Sequence, residues 1–227
     1  MKTVCMLGQN GFIGKTVLEV LKQNFEIVDV SQPCDVLVNC AGFSRMYEAQ
    51  KNPSMMERVE NYTFDRIANV PFVHIIHLSS IYIDASPDHA YSKYKKKMEQ
   101  KILSICPDAT IFRLASVLGK GLQKNVIFDL SQSLPLWVTP DSVYNYISSE
   151  EVGNIITHFI NNPIAAIFNV GASESISVSD VVKLTKCETA YGKKKDTVFM
   201  DVSFLQKHYK VKTSREYVEE YWRTCCG

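Results

Sequence analysis

The chain has few of the features that would settle its function quickly. Its seven cysteines, at 5, 34, 40, 106, 187, 225 and 226, are odd in number and have no C-x-x-C spacing, so they read as reduced thiols and not as a disulfide framework. Its histidines form no H-x-x-x-H or H-E-x-x-H set, and His74 and His77 fall on opposite faces of an apolar run; no metal is expected. A formal net charge of +1 gives no electrostatic case for a nucleic-acid polymer or a membrane surface. No apolar run is long enough to span a bilayer and no signal-peptide pattern is present, which sets the expectation of a cytoplasmic protein. Internal repeats, linkers and low-complexity segments are also missing. What remains is a chain of 227 residues, 46% hydrophobic, long enough to bury a real core as one unit with a small appended lobe.

The positive signals cluster in one interval. The apolar run Phe72-Val73-His74-Ile75-Ile76-His77-Leu78 predicts a buried strand that ends in Ser79-Ser80, and Tyr91-Ser92-Lys93-Tyr94-Lys95 follows shortly after. If residues 87–105 are helical, as their apolar spacing indicates, Tyr91 and Lys95 lie one turn apart on the same face. A fixed ammonium beside a phenol favours the phenolate, which would make Tyr91 a usable proton donor and acceptor. Strand C-terminal ends are where open α/β sheets bind ligands. The lysines at 93, 96 and 97 read as a solvated helix face.

The start of the chain predicts a dinucleotide site. Residues 2–7 form a strand, Gly8-Gln9-Asn10-Gly11-Phe12-Ile13-Gly14 a glycine loop, and the residues from Thr16 onward a helix. Glycines permit the tight turn and close backbone approach, and the helix N-terminus offers free N–H groups to a pyrophosphate. Asp29, at the end of the next strand, stands at a spacing suited to an adenosine ribose, and no Arg or Lys lies in residues 29–44; this favours NAD over NADP. Asp29 as a plain strand-end residue is the alternative. Too few residues separate that strand from Val36-Leu37-Val38-Asn39 for a crossover helix, so the first half of the sheet is abbreviated. Small residues Cys40-Ala41-Gly42 then let a cofactor pass. A helix is expected over residues 52–69, with Asn61 of uncertain facing, and a strand at 109–114. Beyond Gly119-Lys120-Gly121 the reading is a helix within 122–133, short strands at 135–139 and 143–147, a helix at 149–162, a strand at 166–171 and helices at 177–186 and 213–224.

Taken together, these motifs resemble the extended short-chain dehydrogenase/reductase family, the NAD-dependent epimerase/dehydratase group acting on nucleotide sugars, and most closely its dTDP-4-dehydrorhamnose reductase-like branch. The resemblance covers nearly the whole chain and also draws on Phe112-Arg113-Leu114-Ala115-Ser116-Val117-Leu118-Gly119, Tyr146-Ile147-Ser148-Ser149-Glu150-Glu151-Val152 and Phe168-Asn169-Val170-Gly171. It implies an α/β fold: a Rossmann-type doubly wound parallel sheet (residues 1–119 plus 148–171) with a small, abbreviated C-terminal substrate lobe (120–147 plus 172–227). It further implies Ser80, Tyr91 and Lys95 as catalytic residues, and a cofactor held by Gly8, Asn10, Gly11, Phe12, Ile13, Gly14, Asp29, Ala41, Gly42, Ser79, Tyr91, Lys95, Ala115 and Ser116. Asn61 is the match for the family's helix asparagine. In the lobe, Gln123, Asn125 and Tyr144, with Ser80, are the expected substrate contacts, and Trp137 is either a stacking surface or core.

The implied chemistry is hydride transfer between the nicotinamide of NAD, or NADP, and a sugar carbon, with Tyr91 moving the proton. Three departures from the family matter: the chain is shorter, the lobe is reduced, and Ile81-Tyr82 follow Ser80 where the dehydratase branch has an acidic pair, so no acid/base pair for eliminating water is evident. The expectation is a 4-ketoreductase of a nucleotide sugar, working as a homodimer in polysaccharide biosynthesis. A nucleotide-sugar epimerase that retains its NAD and a non-catalytic dinucleotide-binding protein are the alternatives.

Overall fold

Thr3–Leu7 forms β1, whose last four residues are buried, the pattern of a strand covered on both faces. The computed structural model describes residues 1–226. From β1 the chain runs through α1 (Phe12–Lys22), β2 (Glu26–Val28), β3 (Cys34–Asn39), α2 (Met46–Lys51) and α3 (Pro53–Ala68) to β4 (Phe72–Ser80). A single turn, α4 (Tyr82–Ala85), precedes α5 (Ala90–Ile105), β5 (Thr110–Leu114) and β6 (Ser116–Leu118). Then come α6 (Val126–Ser131), β7 (Val143–Tyr144), β8 (Tyr146–Ser148), α7 (Ser149–Asn161) and β9 (Ala166–Val170). The chain closes with β10 (Ile176–Ser177), α8 (Val178–Thr185), α9 (Ser203–Gln206) and α10 (Ser214–Cys225).

Six strands form one parallel sheet in the order β2-β1-β3-β4-β5-β9. The sheet is Rossmann-type: the chain leaves β1 toward β2 on one side and then returns to β3 on the other, which places a crevice at the C-terminal ends of β1 and β3. Residues 29–33 alone carry the chain across β1, and no helix covers that crossover. The abbreviation read from the sequence is therefore real, and β2 is the sheet edge.

Helices cover both faces. Val17 and Leu21 of α1 and Ile155, Ile156 and Phe159 of α7 pack with Ile76, Leu78 and Phe112 on one face. Ile67 of α3 and Met98 and Ile102 of α5 pack with Leu37 and Ile75 on the other. The C-terminal segments share the first of these cores through Ile127, Tyr146, Val178, Tyr217 and Val218. Caps define the helices that position the site: the Asn52 side chain accepts the Met55 N–H ahead of Pro53 at the start of α3, and His89 Nδ1 accepts the Tyr91 N–H at 3.1 Å at the start of α5.

Two local expectations fail. Residues 135–139 form no strand; Val138 makes only an isolated bridge to Lys194, and Leu136 and Val138 are buried while Trp137 is exposed. That alternation resembles a strand in sequence but has no ladder to join. The helix expected within 122–133 shrinks to α6, because Asn125 holds φ 106, a conformation no helix tolerates.

Candidate active site

The glycine loop is built by close approach. A Cβ on Gly14 would lie 2.0 Å from the Gly8 carbonyl oxygen, and one on Gly8, at φ +80, would lie 2.4 Å from Ala41 N. The loop and the end of β3 thus press together as only glycine allows. Gly11 is the N-cap of α1 and no side chain caps that end, so its first N–H groups face the crevice free of competing acceptors. Ala41 donates its N–H to Asn39 Oδ1 at 3.1 Å.

Beside this loop lies a cavity of about 350 Å³ lined by Leu7, Val30, Ser31, Tyr62, Arg66 and Val70, among others. Asp29 is exposed at its mouth, where Oδ1 accepts the Ser31 N–H at 2.9 Å and the Ser31 hydroxyl at 2.8 Å. Those two bonds hold its carboxyl below the usual range. The absence of Arg or Lys from residues 29–44 does not carry into space: Arg66, on α3, lines the same cavity as Ser31. Sequence distance hid that cation, because α3 lies well along the chain from Val30 and Ser31, whose cavity Arg66 shares.

Ser80 ends β4, and its Oγ accepts the Tyr82 N–H at 3.3 Å. The Tyr82 carbonyl in turn accepts the Ser92 hydroxyl at 2.7 Å, so α4 ties the strand end to the first turn of α5. Tyr91 and Lys95 both lie on the buried face of α5, with Lys95 Nζ 5.7 Å from the centre of the Tyr91 ring.

The residue that meets Lys95 across the helices is Glu60, not Asn61. Lys95 Nζ donates to Glu60 Oε1 at 3.1 Å, and the two side chains are 5% and 6% exposed. The same oxygen accepts the Phe43 N–H at 3.2 Å, and Oε2 is buried without a hydrogen-bond partner among the described residues. Asn61 is exposed and accepts from Lys101 Nζ at 2.7 Å. A signal was available: Met56, Thr63 and Ile67 are buried on α3, and that 4-3-4 spacing puts Glu60 in the inward stripe. Burial opposes the Lys95 charge, but the Glu60 carboxylate, Tyr91 and Glu99 outweigh it and raise its pKa. Gly42, at φ +140, leaves room for the pair; a Cβ there would lie 2.9 Å from Lys95 Nζ.

Ser79 points elsewhere. Its hydroxyl donates to Glu99 at 2.6 Å, and Glu99 also binds Arg113, which pairs with Asp84. Ser79 therefore joins an ion network through its hydroxyl donor. Ala115 is buried and Ser116 half-buried at the end of β5 and start of β6. In the lobe, Tyr144 donates to Asp196 Oδ2 at 2.8 Å. Burial foremost, then Asp196 and Tyr91, raises the pKa of the Tyr82 phenol, and Tyr82 packs against the cluster that holds Tyr91. Asp196 and the segment around it carried no sequence signal. Asn125 accepts the Phe128 N–H as the cap of α6, Gln123 is exposed, and Trp137 is exposed with Lys194 Nζ 5.1 Å from its ring centre. Among the described residues no His, Cys, Asp or Glu cluster could hold a metal.

No protein-family model and no curated protein matches the chain. Solved structures do. A dTDP-4-dehydrorhamnose reductase from Bacillus anthracis in complex with NADP superposes with a TM-score of 0.80 at 13% identity, covering 98% of each chain. UDP-glucuronic acid 4-epimerase from Bacillus cereus, solved with UDP-glucuronic acid and NAD, gives 0.79 at 13%, again over 98% of each. An NAD-dependent NDP-hexosamine 5,6-dehydratase involved in tunicamycin biosynthesis gives 0.82 at 14%, over 99% of this chain and 98% of that one. At such identities the likeness establishes the Rossmann-type fold from end to end.

Proposed function

We propose that this protein is an NAD(P)-dependent oxidoreductase of the extended short-chain dehydrogenase/reductase type that reduces a keto-sugar nucleotide. The observation that carries the reading is the placement of Tyr91 and Lys95 on one buried face of α5, whose first turn is tied through Tyr82 to Ser80 at the C-terminal end of β4. The residues around the crevice fit a dinucleotide. The Gly8–Gly14 cradle and the uncapped end of α1 suit a pyrophosphate, and the cavity between β2 and α3, apolar at Leu7, Val30 and Val70, suits an adenine ring with Asp29 toward its ribose. The names of solved proteins sharing the fold, which include nucleotide-sugar reductases and epimerases, support the substrate class.

When bound, the nicotinamide supplies the hydride. The chain supplies the rest: Ser80 hydrogen-bonds the carbonyl oxygen of the substrate, and Tyr91 gives that oxygen its proton. Lys95 stays an ammonium that fixes the phenol and offers its remaining N–H groups to the ribose. Tyr82, Tyr144 and Asp196 border the sugar side. Reduction is favoured over epimerisation because a small lobe matches a task that needs one binding event and one release, whereas an epimerase must enclose its keto intermediate.

The test is to purify the protein, measure dinucleotide retained after denaturation, and follow dihydronicotinamide consumption with a 4-keto nucleotide sugar. Stoichiometric consumption with exchangeable cofactor supports the reading. Tightly retained NAD with interconversion of two sugar epimers and no net consumption would replace it with the epimerase.

A further inference from the structure

The charge closest to Lys95 is an anion built into the fold. Glu60 reaches from α3 with its Oε1 shared between Lys95 Nζ and the Phe43 backbone N–H, so one carboxylate joins α3, the loop after β3 and α5. Water cannot screen the pair, since both side chains are almost fully enclosed. The other groups facing Lys95 do not substitute for it. Glu99 lies one turn on in α5 but is held by Arg113 and the Ser79 hydroxyl. His77 from β4 is fully buried and neutral. Lys124 is a second cation, its ammonium donating to the Ser44 carbonyl, and Tyr82 from α4 contributes a neutral phenol.

An ammonium lends charge to a neighbouring phenol only as far as no closer anion neutralises it. We propose that Glu60 is a positioning residue: its carboxylate anchors the Lys95 ammonium between α3, the loop after β3 and α5, and offsets the charge that this ammonium presents to the Tyr91 hydroxyl. The inference rests on the reductase reading above and deepens it. In the reducing direction a dihydronicotinamide gives its hydride to the carbonyl carbon while the Tyr91 O–H bond breaks and its proton moves to the carbonyl oxygen; the enzyme must begin with the phenol. The reverse oxidation must begin with the phenolate. Without the Glu60 carboxylate, the Lys95 charge beside Tyr91 is no longer offset at close range, and the balance at the phenol moves toward the phenolate.

The decisive experiment needs neither cofactor nor substrate. Tyrosinate formation is followed by near-ultraviolet absorbance against pH in the wild-type protein and in Glu60→Gln, each with and without Tyr91→Phe, so that the difference isolates Tyr91. The expected result is a Tyr91 signal in Glu60→Gln that rises about one pH unit below that of the wild type. Coincident curves in folded proteins overturn the inference. Because Glu60→Gln leaves Lys95 buried without its counter-charge, folding could fail; a lysine-labelled magnetic resonance titration of the wild-type protein then decides. Lys95 staying charged above the pH at which surface lysines titrate upholds the role of Glu60, and Lys95 titrating with them or below them overturns it. Failure to turn over any keto-sugar nucleotide would count against the reductase reading alone, since these titrations do not depend on turnover.

Discussion

The Asn39 amide nitrogen lies 2.8 Å from His77 Nδ1, and because the same side chain's oxygen accepts the Ala41 N–H, the amide is the donor and the ring proton is left on Nε2. That N–H is buried without a partner among the described residues. Burial, and then the Lys95 charge, pushes the His77 pKa down to about 3 from an ordinary 6.5. A folded-state pKa below the unfolded one gives stability that is present above the unfolded value and lost as pH falls toward the folded one. Between pH 6.5 and 3 the His77 contribution therefore falls by about 1.4 kcal/mol per pH unit. His74 and His89 are also lowered by burial, so the comparison that isolates His77 is with His77→Gln. Urea unfolding at pH 7 and pH 5 should show a smaller loss of stability in the variant; parallel losses would mean that His77 charges without cost.

Much of this site was legible because its parts are local. The glycine loop follows its strand directly, Ser80 ends one apolar run, and the Tyr91/Lys95 spacing is fixed by one helical turn. The abbreviated crossover was legible for the same reason, since a count of residues between two strands needs no knowledge of the rest of the fold. What stayed hidden depends on contacts between distant segments. Glu60 meets Lys95 across two packed helices, Arg66 shares a cavity with Val30 and Ser31 from far along the chain, and Asp196 comes to Tyr144 through a segment with no periodic pattern. The Ser79 contact was hidden in the same way: adjacent to Ser80, it faces the other side of the strand, where the period of two delivers it to Glu99.

Tyr91→Phe is expected to lower turnover of a keto-sugar nucleotide by at least ~10²-fold, the lower end of what a positioned acid–base group contributes. Dinucleotide affinity should be nearly unchanged, because the phenol hydroxyl is a proton source and the ring, which packs with Phe43, Ala49 and Met56, is retained. Rates equal to the wild type in a steady-state assay would remove Tyr91 from the chemistry.

The cofactor choice follows from Asp29 and Arg66. The Asp29 carboxylate is ionised at neutral pH, and among the described residues its partners are the Ser31 N–H and hydroxyl, not a cation. A 2′-phosphate at that position would be repelled, so NAD(H) is expected to bind more tightly than NADP(H). Arg66 lines the same cavity and limits the difference. Calorimetry with AMP and 2′,5′-ADP separates the two effects: Asp29→Asn should raise 2′,5′-ADP affinity, and Arg66→Ala should lower it with AMP little changed. Equal responses of both nucleotides to both substitutions would place the ribose elsewhere.

Two glycines give a contrast that tests the phosphate cradle itself. A methyl group on Gly14 would stand 2.0 Å from the Gly8 oxygen and 2.8 Å from the Gly8 carbonyl carbon. Both are backbone atoms, so no side-chain rotation can relieve the clash, and either α1 or the loop must move. Gly121 has φ +84, but nothing lies within 4 Å of the added Cβ; substitution there meets only conformational strain. Gly121→Ala is thus expected to cost on the order of 1 kcal/mol and to leave dinucleotide binding intact. Gly14→Ala should cost about 1–3 kcal/mol through overpacking and, because the displaced loop is the surface that meets the pyrophosphate, should also abolish measurable dinucleotide binding. Urea denaturation and calorimetric titration read the two quantities separately. A Gly14→Ala protein that is destabilised yet binds NAD as the wild type does would show that the loop between β1 and α1 serves packing alone.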